Sequence, residues 1–255
     1  VTASRPRVEV RPVRGGLELR IDGTQASLHR AGKALTGVVW WALASPILLL
    51  PRVRPRRVLV LGLAAGSVAR AVRALDPDAA IVGVERDREV LRLARSHFDL
   101  DRLGVELVVG DALEYLRRER RCFDLIVEDI FVGPSRSVCK PDWLLGEGYR
   151  LIRKRLRVGG FVVSNTIHET RDVVRAMRPI GRRIVSLDVR GHWNRVTVCG
   201  RHLPPPTALR RLLKAREETS RILGRLALRT RGAASVSRGG AAERERRGSR
   251  PATGA

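Results

Sequence analysis

The stretch Arg57-Val58-Leu59-Val60-Leu61-Gly62-Leu63-Ala64-Ala65-Gly66-Ser67-Val68-Ala69-Arg70 limits the possible folds of this chain more than any other. Its short apolar run ends in small residues and passes into a helical pattern, as a strand buried on both faces does when it turns into a helix. Gly62, Ala64 and Gly66 stand where a larger side chain would keep a ligand off the backbone. A helix beginning near Ser67 aims its unpaired N–H groups at whatever lies over that turn. A second apolar run, Ala80-Ile81-Val82-Gly83-Val84, closes on Glu85, nineteen residues beyond Gly66. An acid at that distance is placed to hold the two hydroxyls of a ribose. Turn and acid together predict a nucleoside site.

The alternation continues on both sides of this unit. Strands are expected over 57–62, 80–85, 105–109, 123–128 and 160–164, with helices near 66–75, 87–98, from Ala112, near 142–156 and over 168–178. Strands and helices in that rhythm predict a parallel sheet covered on both faces. Residues 183–189 and 194–199 are two strands joined by a short Gly191-His192 turn, a hairpin that would close a Rossmann-like, seven-stranded sheet. Ahead of the sheet, residues 7–25 alternate polar and apolar around Gly15-Gly16, which reads as a β-hairpin. The chain thus divides into an N-terminal hairpin segment (1–30), an α/β domain (31–203), a C-terminal helix (204–229, helical from about 207) and a disordered basic tail (230–255) rich in Gly, Ala, Ser and Arg.

Residues 34–50 carry no charge. The run sits at the short limit for a membrane span of about 20 residues, and Pro46 interrupts it. A helix buried against the sheet is favoured, and no membrane is expected. The formal charge is +24, but only four of the fifty basic residues are lysine (Lys33, Lys140, Lys154, Lys214). Arginine is spread over the whole length, which favours a general compositional bias over a nucleic-acid footprint. Nucleic acid stays open as a partner of the tail. Such a charge also opposes a field that would draw in a cationic substrate. Cys122, Cys139 and Cys199 show no pair spacing, no structural metal is expected, and with no signal-peptide pattern at the start the chain reads as cytoplasmic.

Residues at strand ends line the crevice of an open parallel sheet. The acids there are Glu85, Asp111 in Val109-Gly110-Asp111-Ala112, and Asp129 in Val127-Glu128-Asp129. A ribose acid followed by an acid near an exocyclic amine describes adenosine. A nicotinamide dinucleotide is the rival, but its fingerprint needs glycine at positions 64 and 67, which are Ala64 and Ser67. Asn165 and His168 follow the fifth strand, within reach of a substrate.

Over residues 17–201 the sequence resembles the spermidine synthases and their bacterial relatives, built on the class I S-adenosylmethionine-dependent methyltransferase fold. Ile21-Asp22-Gly23-Thr24-Gln25 is similar to that family's N-terminal hairpin, Val58 to Gly66 to its glycine-rich loop, and Val84-Glu85-Arg86-Asp87 to its ribose-holding segment. Gly110-Asp111-Ala112 is similar to its adenine side, and Phe123 to Asp129 to the strand ending in its catalytic aspartate. The resemblance implies S-adenosylmethionine or its decarboxylated form over Gly62, Ala64 and Gly66, with Glu85 on the ribose and Asp111 and Ala112 at the adenine. It makes Asp129 the catalytic base or the amine-orienting group, gives Gln25 a place among the substrate residues with Asn165 and His168, and implies a small-molecule acceptor and a possible homodimer. Three positions depart from the pattern. Ala65 stands where aminopropyl-transferring members have aspartate, Ile130-Phe131-Val132 replace a second aspartate, and the Tyr-His pair after Gln25 is missing. Three functions are therefore weighed: aminopropyl transfer to a polyamine, methyl transfer to another acceptor, and non-catalytic nucleoside binding.

Overall fold

The alternating N-terminal stretch forms an antiparallel sheet of its own in the computed structural model, which describes residues 6–33, 36–52, 54–134 and 137–231. Its strands are β1 (Val8–Val13), β2 (Gly16–Ile21) and β3 (Thr24–His29). The expected hairpin is thus extended by one strand. Asp22 and Gly23 both take positive φ (48° and 79°), the conformation a tight hairpin turn needs, and the chain reverses a second time.

The uncharged run that follows becomes α1 (Val38–Ala44) and a 3₁₀ turn over Ser45–Leu49; Ala34 and Leu35, at its start, lie outside the described residues. Trp40, Trp41, Leu43 and Ile47 are buried in one core cluster with the strands, each such side chain worth roughly 1.5–3 kcal/mol of transfer free energy. No helix among the described residues is long and apolar enough to cross a membrane.

The main sheet takes β4 (Arg57–Leu61), β5 (Ala80–Glu85), β6 (Val105–Val109), β7 (Phe123–Glu128), β8 (Leu156–Thr166), β9 (Ile184–Val189), β10 (Arg195–Cys199) and β11 (Leu226–Arg231). Their order is β11-β9-β10-β8-β7-β4-β5-β6. The five strands from β8 to β6 are parallel, and the last three are antiparallel. Helices α2 (Ser67–Leu75), α3 (Arg88–His97), α4 (Ala112–Arg118), α5 (Tyr149–Arg155) and α6 (Thr170–Met177) connect them. The chain leaves β4 toward β5 and β6, then returns to lay β7 on the other side. That reversal opens a crevice beyond the C-terminal ends of β4 and β7.

The sheet has eight strands, one more than expected, because the C-terminal segment is not one helix. It folds as α7 (Pro206–Lys214), α8 (Glu217–Leu223) and β11. The break after Lys214 is fixed by Thr219, whose hydroxyl donates to the Leu213 and Arg216 carbonyls at 2.5 and 3.2 Å. Beyond Gly224, Leu226 and Leu228 recur at period two and pair opposite Val189 and Leu187 of β9. A strand period under helix-forming residues won once an open sheet edge was available. Thr230 and Arg231, expected in the tail, belong to β11; residues 232–255 lie outside the described residues.

Candidate active site

Register sets the geometry. Leu61 pairs with Val84 on one side and Glu128 on the other, and Glu128 pairs with Ser164. The next residues, Glu85, Gly62, Asp129 and Asn165, therefore form a row across the ends of four adjoining strands. They line a cavity of about 1210 Å³, large enough for a nucleoside and a second small molecule.

On the β5–β6 side the backbone is arranged around Glu85. Gly62 and Ala64 take positive φ (83° and 47°), and a Cβ at Gly62 would stand 2.7 Å from the Asp129 carbonyl oxygen. The turn so formed brings the Ala64 N–H to Glu85 Oε2 at 2.9 Å, while Asp87 N–H donates to Oε1 at 3.1 Å. Burial raises the Glu85 carboxyl above its ordinary value, opposed by the amides of Asp87, Ala64 and Arg86. Each oxygen retains a lone pair for a ligand hydroxyl. Asp111 caps α4, accepting from Leu113 and Glu114 N–H at 2.8 and 3.2 Å, and lines the cavity beside Ala112.

The N-terminal sheet braces this loop. Ser27 of β3 accepts the Ala65 N–H at 3.0 Å. Ser67 accepts the Leu28 N–H at 3.0 Å and donates back to the Leu28 carbonyl at 3.2 Å. Ser27 is fully buried, so position 65 contributes its amide to the packing of the two sheets.

On the β7 side Asp129 is half-buried. Asn165 donates to its Oδ1 at 2.8 Å, and Asn194 donates to Asn165 Oδ1 at 3.0 Å. Burial lifts the Asp129 carboxyl to about 6, against the lowering effects of Lys140 and of the Asn165 bond, with Glu128 adding to the rise. A carboxylate with that affinity sits close to the working range of a general base. Beneath it lies a buried ion pair. Lys140 Nζ donates to Glu128 Oε1 at 2.7 Å and to the Ile130 carbonyl at 2.9 Å, and sits 3.8 Å from the Phe131 ring centroid. The Glu128 carboxylate also accepts the Ile130 N–H at 2.8 Å and the Ser164 hydroxyl. The loop after β7 is thus pinned from both ends, with Val132 and Cys139 exchanging two backbone bonds at 2.9 Å between them.

The cavity brings together Gln25, Gly62, Ala64, Glu85, Asp111, Ala112, Asp129 and Asn165. Gly66 and His168 lie outside its lining. At Gly66 a Cβ would meet Leu100 and Leu103 at 2.9 and 3.0 Å, so that glycine serves the packing at the start of α2. His168 is exposed, and its N–H donates to Glu169 Oε2 at 3.1 Å. Gln25 stands at the mouth, its amide donating to Glu18 at 2.7 Å. Two contributors escaped the sequence reading, Asn194 and Lys140. Pairing the closing hairpin against the fifth strand would have set Asn194 near Asn165. Lys140 had a fainter signal, being a lysine where nearly every other base is arginine.

A mostly parallel sheet with its crevice beyond the ends of β4 and β7 is the methyltransferase-like arrangement. The model of the spermine/spermidine synthase domain matches residues 44–193, and the chain belongs to that family. It is 34% identical over 163 residues to polyamine aminopropyltransferase 2 of Hyperthermus butylicus, covering 59% of this chain and 52% of that one. It is 30% identical over 194 residues to the polyamine aminopropyltransferase of Thermococcus kodakarensis, covering 70% and 65%. The chain spans about half to two-thirds the length of these relatives. Among solved structures, a probable spermidine synthase from Corynebacterium glutamicum superposes with a TM-score of 0.70 at 19% identity, over 92% of this chain and 96% of that one. Human methyltransferase-like protein 13, in complex with SAH, gives 0.55 at 21% identity over 78% and 94%. At those identities the likeness concerns the fold.

Proposed function

We propose that this chain is a transferase that binds decarboxylated S-adenosylmethionine and moves its aminopropyl group to an amine. The observation that supports it best is the row Glu85, Gly62, Asp129 and Asn165 along one cavity wall, in a chain of the spermine/spermidine synthase family. Glu85 holds the ribose hydroxyls, Asp111 the adenine amine, and the Gly62–Ala64 turn lets the donor sulfur approach Asp129. Asp129 takes a proton from the acceptor ammonium, and the freed nitrogen attacks the propyl carbon attached to sulfur. The C–S electron pair returns to sulfur, leaving a neutral thioether and a secondary ammonium. Positioning supplies most of the acceleration, since both reactants are held in line.

The test pairs two variants under calorimetry and turnover. Glu85→Ala is expected to abolish nucleoside binding. Asp129→Asn is expected to spare binding and lower turnover by about 10²–10⁴, the range for a lost general base. If both variants retain full binding and full turnover, the assignment fails.

Methyl transfer is the second reading, motivated by Ala65 and by the apolar Ile130-Phe131-Val132 segment, which carries no acid for a diamine. Tighter binding of S-adenosylmethionine than of its decarboxylated form, with putrescine without effect, would favour it.

A further inference from the structure

The cavity changes character across β4. On the β5–β6 side the lining carboxylates are Glu85, Asp87 and Asp111, each already accepting backbone N–H groups. On the β7–β8–β10 side the carboxylate among the described lining residues is Asp129, and the groups leading away from it grow steadily more basic. Asn165 and Asn194 stand next to it in a hydrogen-bonded chain. His192 lines the cavity two residues before Asn194, followed by Arg225 at the end of the C-terminal helices. The Arg190 N–H donates to the Arg225 carbonyl at 2.9 Å, which ties that residue to the β9–β10 turn. Burial and the Arg225 charge both hold the His192 imidazole below its ordinary value, so the guanidinium and the ring share one field. Arg221, also in the lining, is paired with Glu217; the Arg225 side chain has no ion pair among the described residues.

We propose that the acceptor is an amine with one positive charge and an anionic far end, an ω-amino carboxylate in chemical class, its nitrogen at Asp129 and its carboxylate at Arg225. The proposal rests on the transferase reading above. A diamine of equal length would bring its second ammonium to Arg225, a like charge. An amino carboxylate places each end against its opposite. In the transfer step its ammonium gives one proton to Asp129, its nitrogen bonds to the propyl carbon as the C–S bond breaks, and its carboxylate is unchanged.

The full chain would be supplied with decarboxylated S-adenosylmethionine and, separately, 4-aminobutanoate, butylamine and putrescine, three acceptors with the same four-carbon body. Products would be identified by mass spectrometry. The expected order of kcat/KM is 4-aminobutanoate, then butylamine, then putrescine, with at least tenfold between first and last. Arg225→Glu, at an exposed position, is expected to reverse the first and last. Any other order in the unmodified chain, or a ratio that Arg225→Glu leaves unchanged, overturns the acceptor assignment while transfer itself stands. Transfer to none of the three amines, with the donor bound, overturns the transferase reading and this inference with it.

Discussion

The two halves of the crevice are built in opposite ways. The β4–β5–β6 half is local: Gly62, Ala64, Glu85, Asp87 and Asp111 fall within fifty residues, and each acts beside the strand that carries it. Its carboxylates are each held by backbone amides of the adjoining turns, and Ser27 reaches in from the N-terminal sheet to brace the loop. The β7–β8–β10 half is assembled from afar. Asp129, Lys140, Asn165 and Asn194 come from four separate segments and meet through side chains. A site made of backbone tolerates drift in sequence so long as its turns survive. A site made of side chains is re-specified by each substitution.

The largest effect that would sharpen this contrast comes from Lys140→Met. Both side chains of the Lys140–Glu128 pair are fully buried, and removing one partner leaves an uncompensated charge, a loss of about 3–5 kcal/mol. Chemical denaturation measures it. The double variant Glu128→Gln, Lys140→Met removes the stranded charge and is expected to recover most of that stability. Its turnover is the more telling readout. Asp129 must be unprotonated to act as a base, so activity should rise with pH through about 6. The single variant loses a cation that lowers the carboxyl and should shift the rise to higher pH. The double variant loses that cation and also Glu128, which raises it, so the shift should largely cancel. A pH profile that stays put in Lys140→Met would mean the pair is structural scaffolding alone. The same titration has a stability sign. Asp129 holds its proton to higher pH in the folded chain than in the unfolded one, so its contribution disfavours the fold progressively as pH rises from about 4 to about 6.

The same division explains what could be read in advance. The geometry of the β4–β5–β6 half was open to spacing, because glycine turn, helix, strand and acid follow one another in the chain and each has a local cause. The parallel sheet followed from the strand–helix alternation, and the burial of the Trp40-Trp41 segment from the shortness of its uncharged run and from Pro46. The C-terminal segment did not, since residues 207–229 are rich in Leu, Ala, Arg and Glu, and beyond Gly224 the chain pairs with the free edge of β9 from Leu226. His168 and Asn165 looked equivalent after the fifth strand. Asn165 is still within β8 and is held by register, whereas His168 has passed into the turn before α6 and faces out. Asn194 is recruited through a partner twenty-nine positions away, a distance that no periodicity reports.

A middle-sized effect tests the brace on the β4–β5–β6 half. Ser27→Ala strips the Ala65 N–H of its buried acceptor, which costs about 1–3 kcal/mol. Nucleoside affinity is expected to fall with stability, because the same loop carries Ala64 against Glu85. Acceptor KM should hold steady, as the β7 side is untouched. A change in acceptor KM with nucleoside affinity intact would break the division between the halves.

The smallest effect lies at the far end of the other half. Asn194→Ala leaves Asn165 Oδ1 without its donor, at a cost of about 0.5–1.5 kcal/mol for a hydrogen bond in a partly solvated site. The consequence for chemistry is orientational. The Asn165 amide presents its N–H₂ to Asp129 because its oxygen is held from the opposite side by Asn194. Freed of that constraint, the amide samples the flipped orientation, in which its oxygen faces a carboxylate and repels it. The variant should therefore bind nucleoside normally and lose several-fold in turnover. Asn194→Gln, longer but still a donor, should restore part of that loss, and Asn194→Asp, which removes the donor, should not. Equal turnover in the Ala and Gln variants would place Asn194 in the packing of the turn rather than in control of Asp129.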